Sequence, residues 1–537
     1  MPNALAEEPL LSEELLAPLP TAARERIPPD VAKHVVKGVS ILSAAVFIER
    51  GATFLANVLA VRLAGPATFG AYSVGVTTAN NISVYAAGGI GTTATRFSGK
   101  YPYDGGSYRV FAQVMATISL CSAAIAALAL TLGASPIAAL LHRADLAGLL
   151  RIAGITAAGM VLLECARGFF VGQQRLVALA VLSLLVGLGM LAVIPAMAMT
   201  GNARNMVASH GAVTVGAVLL CCIMAARLRL QPPIGHHAGV AFFPLMREVW
   251  SYGLVQLSGL VSANVAGWWV TVLVARGDST LAQISFFSIA SQLRNLIGLI
   301  PSLLTEGSFS AMATPGEGTG TAQRVMMLCT FASTSVSFAI AAVTMVIAPL
   351  LLRLMYGQVY ANAALAVSIA VGVAVIQMGN APPSARLSVV SIRLTAVINT
   401  VWAVTTAFLG TALMLHGGNA AQAMAVFLAA HILIALLVLI ALSRRDRLPS
   451  GMVSLFAMST TGIVFLALLS AIRIARPSNS GSLSLLMLCV VVLCITLLYR
   501  LGKKHSCLPS QAMLQSLRQR IVFSLRRLPF FAAGGKQ

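Results

Sequence analysis

Apolar residues run along this chain in long blocks joined by short polar turns. A helix that crosses the hydrocarbon layer needs roughly 20 predominantly apolar residues, and fourteen blocks meet that measure. Six lie at 36–63, 69–97, 110–132, 149–170, 176–199 and 207–226. Six more lie at 249–274, 281–304, 325–352, 363–378, 394–415 and 421–442, and two close the series at 453–471 and 482–498. The pattern predicts an all-α integral membrane protein with about 14 transmembrane helices.

The stretch 47–100 carries the most information. Two apolar runs flank the turn Ala64-Gly65-Pro66, with Glu49-Arg50 deep in the first run and Asn80-Asn81 deep in the second. Ionised side chains inside a spanning helix are costly and persist mainly where they line a polar cavity. This hairpin is therefore expected to border a transport path.

Composition narrows the class. Hydrophobic residues make up 58% of the chain and charged ones 9%, against about 25% charged in soluble proteins. The net charge of +21 does not indicate nucleic acid, because the basic residues sit in short loops and not in one patch. Arg96, Lys100, Arg109, Arg227, Arg229, Arg247, Arg444, Arg445 and Arg447 fall on one side of the predicted spans. Only a sparse set, including Arg62, Arg143, Arg204 and Arg353, falls on the other. By the positive-inside rule both termini are expected in the cytoplasm. The opening segment bears Glu7, Glu8, Glu13 and Glu14 among prolines, unlike the basic start of a cleavable leader; a loosely ordered tail is expected over 1–35. Eight cysteines lie mostly inside apolar runs without ligand spacing, so neither a zinc site nor a disulfide framework is expected.

A weak internal repeat is present. A shift of about 212 positions lays Ser73 on Ser285 and Phe97-Ser98 on Phe309-Ser310. The expected organisation is an N-lobe over 36–228, a cytoplasmic linker over 229–247 and a C-lobe over 248–443. Two added helices follow within 452–500, and a basic tail over 503–537. Six spans per half put the lobes in one orientation, related by a pseudo-two-fold axis along the membrane normal, with the substrate site between them. In the tail, Leu514, Leu517, Ile521, Leu525 and Leu528 make one apolar stripe beside Arg518, Arg520, Arg526 and Arg527. This predicts an amphipathic helix on the inner leaflet, in contact with membrane lipids.

Several short runs resemble a known group. Leu63-Ala64-Gly65-Pro66, Phe69-Gly70-Ala71-Tyr72, Gly88-Gly89-Ile90-Gly91-Thr92 and Arg96-Phe97 are similar to the polysaccharide flippases of the multidrug/oligosaccharidyl-lipid/polysaccharide exporter superfamily. Trp250-Ser251-Tyr252-Gly253, Pro349, Met355-Tyr356-Gly357, Asn399 and Trp402 agree with that likeness. The resemblance implies two six-helix lobes in a V around a central cavity. It also implies alternating access that carries a lipid-linked oligosaccharide from the inner to the outer leaflet of a bacterial cytoplasmic membrane.

Arg50 and Arg294 lie near the middle of their spans, one in each half. A lipid diphosphate brings negative charge into a low-dielectric space, and guanidinium forks match its oxygens. Arg50 has an alternative partner in Glu49, with which it would form an ion pair. Asn80, Asn81, Gln292 and Asn295 occupy corresponding depths in the repeat, suited to cavity lining or to bonds between helices. Glu164 and Arg167 sit three apart on one helix face, as an ion pair within the helix or as a gate. Glu49 and Glu164 are also the candidates for proton coupling. Gly88-Gly89-Ile90-Gly91 lacks the strand a nucleotide loop requires, so close packing or a bend is the better reading. The histidines are scattered, and Met and Phe within spans read as lipid-facing or core.

No cofactor, metal site or enzymatic activity is expected, since no loop between spans is long enough for a catalytic domain and no Walker A, HExxH or GxSxG run occurs. A flippase for undecaprenyl-diphosphate-linked repeat units, serving O-antigen, capsule or exopolysaccharide assembly beside a polymerase and a chain-length regulator, fits best. An ion-coupled drug/cation antiporter of the same superfamily is the alternative, disfavoured by arginines at mid-depth. A peptidoglycan-precursor lipid flippase would use the same diphosphate handle.

Overall fold

The computed structural model describes residues 29–101, 107–227, 241–313, 319–415 and 417–507. The expected acidic tail before residue 29, most of the inter-lobe linker and the amphipathic stripe after residue 507 lie outside them. The chain forms α1 (Pro29–Ala87), α2 (Ile90–Lys100), α3 (Tyr108–Leu140), α4 (Ala147–Gly172), α5 (Leu176–Ala198), α6 (Ala203–Arg227) and α7 (Phe242–Arg276). It continues through α8 (Ala282–Ala313), α9 (Thr319–Tyr356), α10 (Ala364–Val390), α11 (Ile392–Met414), α12 (Ala420–Arg445), α13 (Met452–Ala475) and α14 (Ser480–Lys504). Among the described residues there is no strand.

Among the described residues, eleven helices are long and apolar enough to cross a membrane. One of these spans, Ala44–Ala87, has 44 residues, about twice what one crossing needs. It divides at Gly65, whose φ of 75° and ψ of 172° break the helix just before Pro66. Glycine adopts that φ without steric cost, and proline has no N–H to continue the helix behind it. Glu49 and Thr53 before the break line the same cavity as Asn80 and Ser83 after it, so the two legs lie side by side. With α7 and α8, which at 35 and 32 residues also have the length, the chain makes about fourteen crossings.

Two boundaries differ from the sequence reading. The predicted span 69–97 is interrupted at Gly88 and Gly89, both at positive φ, and restarts as α2. The predicted span 363–378 continues as α10 to Val390. Its polar end is accommodated by Asn380 Nδ2 donating to Ser384 Oγ (3.0 Å) and by Arg386 pairing with Asp446 (2.8 Å).

Helices α1–α6 pack on one another, with α1 against α5 and α4, α3 against α4, and α4 against α6 and α2. In the second bundle α10 is surrounded by α8, α9, α12 and α13, while α11 joins α7 and α12, and α14 packs on α13 and α9. In α10, 78% of the most apolar window is buried, against 22% in α14. The former is the bundle's core and the latter has a face suited to lipid.

The bundles meet along α1 with α8 and α7, and along α2 and α3 with α7. At the Gly65 end, Arg143 Nη1 donates to Ser279 O (2.7 Å), Arg276 Nε to Leu140 O (2.7 Å) and Tyr360 OH to Val61 O (3.4 Å). At the other end Lys100 Nζ lies 2.9 Å from Glu248 Oε1, and the Arg96 guanidinium lies 4.4 Å from the centre of the Tyr252 ring. Arg143 is itself held by Asp145 at 2.9 Å, and its hydrogen bonds keep the Asp145 carboxyl below the usual carboxylate range.

Candidate translocation cavity

Three adjoining cavities lie within and between the bundles. The first, about 420 Å³, is inside α1–α6 and is lined by Glu49, Thr53, Asn80, Glu164, Arg167 and His210 among others. The second, about 300 Å³, lies at the seam of α1 and α8, with Arg50, Asn57, Gln292 and Asn295 beside Phe54, Leu296 and Leu299. The third, about 270 Å³, lies between α1 and helices of the second bundle and holds Arg294, Trp268, Trp402, Phe427 and His431. Glu49 and Thr53 belong to the first and second, and Asn80 to the first and third. Each of the nine polar residues singled out in the sequence lines one or two of these spaces.

In the first cavity Arg167 on α4 bridges two carboxylates. Its guanidinium donates to Glu49 on α1, and its Nη1 donates to Glu164 Oε1 one turn back at 3.2 Å. The ion pair within α4 is therefore present and extends to a second helix. Close packing of α2 forms one wall: a Cβ on Gly168 would stand 2.0 Å from Gly91 O, a contact only a bare backbone permits. His210 Nδ1 lies 2.9 Å from Tyr72 OH behind the same cavity. Two carboxylates and one guanidinium leave this space with an excess of negative charge.

Arg50 does not pair with Glu49. Adjacent residues point about 100° apart around a helix, and Glu49 turns to Arg167 while Arg50 faces the seam. Among the described residues Arg50 has no ion pair or hydrogen bond. On α8, Gln292, Asn295, Leu296 and Leu299 share one face by their spacing of three and four and border the seam cavity with Arg50. Arg294 falls on the other side of α8, so the two arginines occupy different cavities.

The third cavity has the opposite balance. Arg294 lies 5.5 Å from the Phe427 ring centre, and its Nε is buried with no partner among the described residues. No Asp or Glu is among the residues lining this space. Trp402 stacks on Phe427 at 6.3 Å and 16° between planes, and meets His431 edge-on at 5.5 Å. Asn81 Nδ2 donates to Asn264 O (3.1 Å) and Trp268 Nε1 to Thr78 Oγ1 (3.2 Å), tying the second leg of α1 to α7. Asn81 Oδ1 and Trp402 Nε1 are buried without partners among the described residues. Buried polar atoms left unmatched cost about 1–3 kcal/mol each, so three along one cavity mark a space that favours a hydrogen-bonding occupant.

The tryptophans, Phe427 and His431 were not legible as a site. Phe427 and His431 are four apart on α12, and that spacing in an apolar span was the available signal. Phe427 is a core residue, 6% exposed, that also borders a polar cavity. Among the described residues no group of three His, Cys, Asp or Glu is placed to hold a metal ion, and all eight cysteines are free.

A model of the polysaccharide biosynthesis protein family matches residues 35–305, half of the chain. The chain belongs to that family. No curated protein matches it by sequence. This family member is similar in structure to the lipid II flippase MurJ in an inward closed conformation, with a TM-score of 0.64 and 12% identity over 86% of this chain and 98% of that one. It is also similar to an inward-facing multidrug resistance MATE family transporter of the MOP superfamily, with a TM-score of 0.53 and 13% identity over 78% of this chain and 95% of that one. The family member thus has the fold of the multidrug/oligosaccharidyl-lipid/polysaccharide exporters, a multi-pass membrane architecture whose similar structures are a flippase and transporters.

Proposed function

We propose that this chain is a flippase that moves an undecaprenyl-diphosphate-linked oligosaccharide repeat unit from the inner to the outer leaflet of the bacterial cytoplasmic membrane. One observation carries the reading: two guanidinium groups, Arg50 and Arg294, border two cavities where the bundles join, each sharing lining residues with the cavity of the first bundle, and neither makes an ion pair among the described residues. A free guanidinium in a low-dielectric space is a strong site for phosphate oxygens. Arg50, flanked by leucines at the α1–α8 seam, suits a head group whose lipid chain stays among apolar side chains. Asn80, Asn81, Gln292 and Asn295 supply donors and acceptors for the rest of the cargo. The polymer made from it serves O-antigen, capsule or exopolysaccharide assembly, with a polymerase and chain-length regulator as downstream partners.

Alternating access would open the Lys100 end to the cytoplasm and the Gly65 end to the outside in turn. Energy would come from an ion gradient, the membrane potential or the cargo's own gradient. The Glu49–Arg167–Glu164 chain, with more carboxylate than guanidinium, is the proposed coupling and gating element. The likeness to a MATE transporter keeps a cation antiporter as the second reading, supported by the negative balance of the first cavity.

Loss of the protein should accumulate lipid-linked repeat units on the inner leaflet. Arg294→Ala should fail to restore surface polymer while reaching the membrane at normal levels. Normal polymer output from that variant would remove Arg294 from the site, and altered dye efflux with unchanged glycolipid would favour the antiporter.

A further inference from the structure

We infer that the aromatic cavity of the second bundle is a sugar subsite. It takes a pyranose ring that carries an anion within one or two bonds, the ring lying against Trp402 and the anion on Arg294. This rests on the flippase reading above and adds which part of the cargo is read, and by which side chains.

Three features converge. The first is an aromatic platform: Trp402 on α11, only partly buried, is backed by Phe427 on α12, within 16° of parallel, and Phe427 is backed in turn by Phe287 on α8. Flat aromatic faces suit the C–H face of a sugar ring, which is apolar while its rim is polar. The second is the set of unmatched atoms around that surface. Trp402 Nε1 and Arg294 Nε are donors and Asn81 Oδ1 is an acceptor, all buried and all without a partner among the described residues. Hydroxyl groups both donate and accept, so a ring rim satisfies this mixed set, whereas an alkyl chain satisfies none of it. The third is charge. Arg294 stands over Phe427 at 5.5 Å with no carboxylate lining the cavity, so an anion held there sits within the span of one ring from Trp402.

These features also select against other occupants. A cationic aromatic drug would find the stacking surface but meet Arg294 with like charge. An acyl chain would bury the unmatched donors. The volume, about 270 Å³, suits a single ring, with further sugars continuing past Asn80 into the larger cavity of the first bundle. The anion has two sources of equal chemistry, a phosphate on the anomeric carbon or a carboxylate on the ring.

The test is binding to the detergent-purified full chain by titration calorimetry, with tryptophan emission as a second signal. The probes are inorganic pyrophosphate, neutral hexoses, hexose 1-phosphates including N-acetylglucosamine 1-phosphate, and the uronic acids. At least one sugar anion is expected to bind more tightly than pyrophosphate or any neutral hexose. Trp402→Ala is expected to weaken it roughly tenfold, with pyrophosphate binding unchanged. Trp402→Phe, which keeps the face and loses the N–H, should lie between. Preference for 1-phosphates identifies the diphosphate as the source, and preference for uronic acids identifies a ring carboxylate; either supports the subsite. Equal binding by wild type and Trp402→Ala overturns it, as does absence of any sugar-anion preference. Pyrophosphate binding that still depends on Arg294 would then leave the flippase reading standing, whereas normal polymer export by Arg294→Ala would remove Arg294's part in that reading separately.

Discussion

Arg294 on α8 and Arg473 in the last turn of α13 are both arginines of long apolar helices, yet their partners differ. Arg473 is 6% exposed, and its two terminal nitrogens bond to Val346 O (2.7 Å) and Met345 O (3.0 Å), with Ser484 Oγ at 3.3 Å. The Met345 carbonyl is available because Pro349 stands four residues after it and has no N–H to return. The charge is solvated by the backbone of α9 at a break in its ladder, and it joins α13 to α9. Arg294 meets a ring face and a cavity and makes no hydrogen bond among the described residues. Both have a buried Nε without a partner among the described residues, so the terminal nitrogens make the difference. The arginine whose terminal nitrogens are bonded joins helices, whereas the one whose terminal nitrogens meet no protein acceptor is the one proposed to hold cargo.

The sharpest way to break this comparison is to remove each guanidinium and watch export and stability separately. Arg294→Met is expected to lower polymer export by roughly ten- to a hundredfold, the worth of one charge-assisted hydrogen bond. The thermal midpoint of the purified protein should hold or rise, since an unpaired buried donor is lost. A marked fall in that midpoint would make Arg294 structural like its counterpart. Arg473→Met should do the reverse, costing about 3 kcal/mol of stability as two carbonyls lose a charged donor. Adding Pro349→Ala should recover part of that loss, because the restored N–H at position 349 returns a bond to Met345 O. Additive effects in this double-mutant cycle would refute the link between the proline and the arginine.

A smaller effect is expected at the end of α12, where pH supplies the perturbation. Burial raises the Asp446 carboxyl, but hydrogen bonds from Arg386, the Arg447 N–H and Gln323 outweigh it and hold the group below the usual carboxylate range. Its contribution to stability is present in full above the unfolded value near pH 4. It is lost as pH falls through the lower folded value. Asp446→Asn should flatten the acid limb of a stability-against-pH curve in that window; an unchanged limb would place the acid sensitivity elsewhere.

How much of this was legible differs between fold and site. The spans and the Gly65-Pro66 turn were readable because each rests on a local property: apolar length, a φ that glycine accepts, or a missing N–H. The polar residues that line the cavities were also readable, since intramembrane polarity is rare enough to be noticed singly. Their pairing was not. Glu49 neighbours Arg50 in the chain but bonds Arg167, 118 positions away, because helix rotation sends consecutive side chains to different neighbours. Nor was the aromatic surface visible, since Trp402 and Phe427 look like ordinary apolar residues until two helices bring their planes together.

Composition and periodicity alone determined that this chain lives in a bilayer as a bundle of helices, because backbone polar groups in lipid must be satisfied within each segment. Which buried charge is satisfied and which is left open was decided only by the tertiary fold. That outcome depends on the rotation and packing of helices far apart in the sequence, and no local run of residues encodes it.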